Sequence, residues 1–304
     1  MQWTKNKERT ALIVGCGLAL TLILFAFFAK YSNNSTSMRT VYETILTKKG
    51  ILSEIHINML KSVEMEKSAV MALTDQESRA YANQSQAASA TVDQNLKALR
   101  AMVDAMPAEK KLLDEFATCW TEMGKIDQVI LPLAVENTNL KAAALSREQG
   151  GQSMQRFEEA LDAVRTSSVG SPSESRITAL NARAMVAALK IYSLHGPHIF
   201  EPDNGKMDQI EERIKEEERV VMQSLVTLET LLDKEHTDVV IQAKTAFAEF
   251  RAVTNQVVQL SRLNSNIKSL ELSLGRKRTV VAQCDDALAA LQESVQQKTF
   301  KATK

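Results

Sequence analysis

Four histidines (His56, His195, His198 and His236), three cysteines (Cys16, Cys119 and Cys284) and a scatter of arginines and lysines carry the chemistry open to this 304-residue chain. The histidines form no His-Glu-x-x-His pair and have no cysteine partner, and no glycine-rich phosphate loop is present. Catalysis therefore has no support, and no cofactor is implied. His195 and His198 are spaced to grip a metal from one helical face, but Gly196 and Pro197 lie between them and break such a helix. The pair is expected in a solvated loop, with no metal. Cys119 and Cys284 fall on apolar stripes of different helices and are expected as buried small hydrophobes.

What remains is recognition, and its candidates are cations. His56, Lys61, Arg147, Arg183 and Arg276 can be brought to one height in a helical bundle, with Lys277 and Arg278 beside the last. Arg183 lies next to an apolar stripe, between Leu180 and Ala184, where a guanidinium can clamp a carboxylate through two parallel hydrogen bonds. Gly150 and Gly151, each costing a helix about 1 kcal/mol against Ala, would leave room for such a ligand. The competing reading is a set of flanking charges on a solvated face. Glu66 lies on an apolar stripe between Val63 and Val70, so it needs a partner from another helix.

The elements that would position these residues are helices. Ten glycines and five prolines in the whole chain, few aromatics and abundant Ala, Leu, Glu, Lys and Gln favour long ones. Lys and Arg balance Asp and Glu at 37 each, which argues against nucleic acid as a partner. Apolar stripes at three- and four-residue steps predict six segments. The first runs over 37–74, ending at a cap of Thr74 or Asp75 with Glu77. The second ends near Met106, and the third starts at Pro107 and continues for nearly sixty residues to SSVGSPSES (167–175). The fourth carries Ile177, Leu180, Ala184, Ala187, Ile191 and Leu194, until HGPHIFEPDNG (195–205) interrupts or kinks it. The fifth spans about 206–232, and the sixth runs from about Lys234 to the end. Ahead of them, ALIVGCGLALTLILFAFFA (11–29) has no charge over 19 residues, about the length that crosses a bilayer. Lys5, Lys7 and Arg9 precede it. The expectation is a cytoplasmic tail (1–10), an uncleaved anchor (11–30) and an extracytoplasmic region (31–304). A signal peptide is the alternative, but AFFAKYS is a poor cleavage site.

One motif is written twice: NTNLKAAALS (137–146) and NSNIKSLELS (264–273), 127 residues apart. The same slide sets Trp120 on Phe247, Met123 on Phe250, Leu133 on Leu260, and EEALDAV (158–164) on DDALAAL (285–291). This is an internal duplication. Long third and sixth helices with shorter partners predict an all-α fold of two stacked four-helix bundles sharing the two long helices. The proximal bundle would hold 37–74, 137–196 and 264–298, and the distal bundle 75–136 and 200–263. Asn137 and Asn264 fall on stripe positions of the long helices, where buried asparagines fix register, and are expected as a structural junction.

A membrane anchor followed by a duplicated, six-helix, two-bundle order resembles the helical bimodular sensor domain of bacterial chemoreceptors and some sensor kinases. The N-x-N-[LI]-K-x-x-x-L-S repeats and EKSAVMALTD (66–75) are similar to sequences of the related four-helix-bundle receptor domains. The resemblance implies a periplasmic sensing region held at the inner membrane, a small organic acid as ligand, a homodimer and a helix shift as output. It also allows docking of a periplasmic binding protein instead. A tethered coiled-coil spacer is the third possibility. The resemblance also implies a second membrane helix and a signalling part after the sensing region; the 304 residues ending in QQKTFKATK (296–304) are expected to be either the sensor portion of such a receptor or a stand-alone relative.

Overall fold

The computed structural model describes the backbone of residues 3–233 and 236–302 and the side chains of residues 21, 23–26, 39, 41–233 and 236–297. Every regular element among them is helical: α1 (Trp3–Met71), α2 (Asp75–Val103), α3 (Pro107–Glu136), α4 (Thr138–Leu145), a first π turn (Ser146–Gly150), α5 (Gly151–Ser167), α6 (Glu174–Ile199), α7 (Asn204–Leu231), α8 (Thr237–Leu263), α9 (Ser265–Leu272), a second π turn (Ser273–Lys277) and α10 (Arg278–Ala302). The stretch 11–30, expected as an anchor, lies almost wholly outside the described side chains. Among the described residues, no helix is long and apolar enough to cross a membrane.

The punctuation follows local chemistry. Thr74 caps α2: its Oγ1 accepts the Glu77 backbone N–H at 3.2 Å and donates to Glu77 Oε2 at 2.9 Å. Pro107 opens α3, where its missing N–H costs nothing. Gly170, at φ +80°, turns the chain between α5 and α6. The expected interruption at 195–205 comes later than the prolines suggest, because α6 passes through Gly196 and Pro197 to Ile199. A proline one turn from a helix end loses one hydrogen bond but already has helical φ.

The chain divides into two compact units. The first holds residues 1–61, 88–121 and 281–304. Its core is a ladder of Leu52, Ile55 and Met59 from α1, Val92 and Leu99 from α2, Leu113 and Phe116 from α3, and Cys284, Leu288 and Leu291 from α10, all buried. Lys48 of α1 meets Glu109 of α3 at 2.6 Å in that core. Trp120 donates to Asp93 of α2 at 2.7 Å. Cys119 of α3 and Cys284 of α10 are joined as a disulfide with their Cα atoms 5.4 Å apart, so the expectation of two separate buried thiols is corrected.

The second unit holds residues 62–87 and 122–280. Phe157, Ile177, Ala184, Ala187, Ile191, Val221, Leu225, Phe247 and Phe250 are among the buried residues of its main core, built from α5, α6, α7 and α8. The partition differs from the one expected. Residues 37–74 were grouped with 137–196 and 264–298, and 75–136 with 200–263. In the first unit, α1 instead packs with α2, the first half of α3 and α10. Periodicity identifies the buried stripe of a helix but does not say which stripe it faces.

Candidate functional site

The duplicated motif writes the same three features twice in the second unit. First comes a left-handed residue, Asn137 at φ 51° and Asn264 at φ 56°, the two non-glycine residues with positive φ among those described. Asparagine tolerates that region better than other side chains. Next comes an eight-residue helix, α4 or α9, and then a five-residue π turn beginning at Ser146 or Ser273. The breaks clasp each other. Thr138 N–H donates to Ser265 Oγ and Ser265 N–H to Thr138 Oγ1, both at 3.0 Å. Asn139 N–H donates to Asn266 Oδ1 at 3.1 Å and Asn266 N–H to Asn139 Oδ1 at 3.2 Å. Asn266 Nδ2 donates to Asn137 Oδ1 at 2.9 Å and Asn139 Nδ2 to Asn264 Oδ1 at 2.7 Å. The motif lysines finish the cap: Lys141 donates to the Glu136 carbonyl at 2.7 Å and Lys268 to the Leu263 carbonyl at 2.9 Å. The first N–H groups of α4 and α9 are thereby satisfied from the other copy, and the carbonyls that end α3 and α8 by the lysine of their own.

Each π turn adjoins a buried polar centre. At the second, Lys277 Nζ lies 2.9 Å from Glu66 Oε2, a charge contact without hydrogen-bond alignment, and donates to Asp127 Oδ1. The partner expected for Glu66 is thus Lys277. Burial pushes the Asp127 carboxyl above its usual range, the Lys277 charge and hydrogen bond oppose this, and the nearby Glu66 charge adds to it. At the first, His195 Nδ1 pairs with Ser146 Oγ at 2.8 Å and Nε2 with Thr254 Oγ1 at 3.1 Å. Burial, with the neighbouring His198 charge, pulls the His195 pKa down to about 4. Both histidines are buried within α6, not solvated in a loop. The His198 nitrogens engage Ser261 at 2.5 Å and Glu211 at 3.0 Å. Gly150 and Gly151 make room for Tyr192 and not for a ligand: a Cβ on Gly150 would stand 3.3 Å from Tyr192 Cε2.

The five candidate cations divide between the two units. His56 is half-exposed and pairs with Asp285 at 3.0 Å, and Lys61 is exposed; both belong to the first unit. In the second, exposed Arg147 pairs with its neighbour Glu148 at 3.3 Å, and Arg276 is spent on Glu122. A common height for them requires 37–74 to pack with 137–196 and 264–298, whereas α1 packs with α2, α3 and α10 in the first unit. Arg183 alone of the five lines a described cavity, an open groove of about 490 Å³ between α6 and α7. Gln223, Ser224 and Thr227 line it with Leu180, Met222 and Val226. Among the described residues, no carboxylate pairs with Arg183.

Sequence reasoning missed Asp127, which sits between Met123 and Ile130 on the α3 stripe and carried the same signal as Glu66. It also missed the disulfide, because two cysteines 165 residues apart give no sign of adjacency.

Residues 10–169, more than half of the chain, match the family described as a four helix bundle sensory module for signal transduction. None of the curated proteins matches the chain. The matched segment runs from the N-terminal apolar stretch through α5 and so takes in the first copy of the duplicated motif. The chain belongs to the four-helix-bundle sensory modules of methyl-accepting chemotaxis proteins.

Proposed function

We propose that the chain is the extracytoplasmic ligand-sensing region of a membrane-anchored chemoreceptor. In this reading residues 11–30 form the anchor, two copies act as a homodimer, and the ligand is a small organic anion held against Arg183 in the groove between α6 and α7. The observation that carries this reading is the groove itself. A guanidinium without a carboxylate partner stands beside a side-chain amide and two hydroxyls, over an apolar floor that suits a short carbon skeleton. A carboxylate that touches both helices favours the arrangement in which they stand at bridging distance, and this differential contact is what a switch requires. The Cys119–Cys284 disulfide supports an oxidising, extracytoplasmic location.

Thermal melts of the chain with a panel of acetate, succinate, malate and benzoate test the proposal. A ligand at a hundred times its Kd adds about 2.7 kcal/mol, which raises Tm by a few degrees. One or more carboxylates should do so for the wild type and none for Arg183→Ala. An unmoved Tm across the panel would count against direct sensing and leave docking of a periplasmic binding protein as the alternative.

A further inference from the structure

A second groove flanks α6, on the side of α5, and its chemistry is the opposite of the first. It has a volume of about 470 Å³, and α5 contributes Glu158, Glu159, Asp162 and Arg165 to its wall. Arg165 is committed to Asp162 through Nε at 2.9 Å and Nη2 at 2.6 Å, so these two charges cancel. Glu159 accepts a neutral donor, Gln155, at 2.9 Å. Among the described residues Glu158 has no cationic partner. The groove therefore keeps two uncompensated carboxylates.

A separate observation points to a ligand. Asn181 lines the groove from α6 and is 7% exposed. Its Nδ2 donates to the Leu161 carbonyl at 2.8 Å, while its buried Oδ1 has no donor. Flipping the amide would set two carbonyl oxygens against each other, so the oxygen is the unsatisfied end. A buried acceptor left without a donor forfeits its hydration with nothing in return. Leu161 and Met185 add apolar surface beside it.

We infer that the α5–α6 groove binds a short alkyl diammonium. An ammonium offers three N–H donors and no acceptor, which suits a wall of carboxylates and one amide oxygen. Two such heads match the two free charges, and the methylenes between them lie along Leu161 and Met185. This site is independent of the anion groove, since it uses the opposite face of α6 and none of the same residues.

The test is calorimetric titration of the intact chain with 1,4-diaminobutane. Saturable one-to-one binding that weakens with salt is expected. Glu158→Gln and Glu159→Gln change exposed positions, so the fold is retained, and each should weaken binding roughly fivefold, the size of an exposed charge contact. Arg183→Ala should leave the titration unchanged. No saturable heat with the wild type would overturn the proposal, as would undiminished binding in the Glu158→Gln/Glu159→Gln double variant. Equal occupancy by Mg²⁺ in competition would reassign the groove to a hard cation and also overturn it.

Discussion

Two acids face one base where Glu66, Asp127 and Lys277 meet, all of them buried. A second carboxylate beside a single buried lysine is poorly tolerated in a protein interior, and burial, opposed by the Lys277 charge and hydrogen bond, holds the Asp127 carboxyl above its usual range. A carboxyl whose folded pKa is raised contributes stability below its unfolded pKa and loses it as pH rises through the folded one. Asp127→Asn removes that loss and leaves Lys277 with Glu66, so at pH 7 urea denaturation should find the variant at least as stable as the wild type. Lys277→Met strands both acids and should cost about 3–5 kcal/mol in the same measurement. His195 has the opposite sign. Its pKa is lowered from 6.5 to about 4, so its contribution is complete above pH 6.5 and is lost as pH falls toward 4. At about 1.4 kcal/mol per unit this amounts to about 3 kcal/mol over that window. Denaturation midpoints across pH 4–7 should show the slope, and His195→Gln should flatten it. The sequence marks Glu66 because a carboxylate on an apolar stripe demands a partner. It does not mark His195, whose glycine and proline neighbours read as a loop although α6 carries on through them.

The element that organises the second unit is the duplicated break. Asn139 donates to the Ile199 carbonyl at 2.6 Å and to Asn264, and accepts from the Asn266 N–H. Asn139→Ala should therefore cost about 2–3 kcal/mol, since it strands a buried N–H and a carbonyl. A double-mutant cycle with Asn266→Ala should show strong coupling, because the two bond each other's backbone. Additive losses would contradict the clasp. Gly150→Ala should be destabilising, because Tyr192 already occupies the space the methyl group needs. The repeat is legible in the sequence, since Asn137 and Asn264 stand at stripe positions in matching contexts. The reciprocal hydrogen bonds are not, because nothing in one copy says that its partner is the other. The π turns leave no sequence mark beyond the serine that opens each.

Across the whole molecule, helical class and most element ends follow from periodicity and punctuation, while the assignment of helices to units does not. The candidate site depends on that assignment: of the five cations expected at one height, His56, Arg147 and Arg276 pair with Asp285, Glu148 and Glu122, Lys61 is exposed, and Arg183 lines the groove between α6 and α7. The disulfide adds a constraint no stripe could reveal, since it ties α10 to α3 within the first unit. Replacing both Cys119 and Cys284 by Ser should lower stability by about 2–5 kcal/mol, read as a reduced denaturation midpoint relative to the oxidised chain. The central claim is that a family sensory module here reads a small organic anion at Arg183. Calorimetric titration of succinate into the wild type and Arg183→Ala, in parallel with unaltered melting curves for both proteins without ligand, tests it most directly. Saturable binding in the wild type and its loss in the variant is the predicted result; saturable binding of equal affinity in both would contradict the assignment of Arg183.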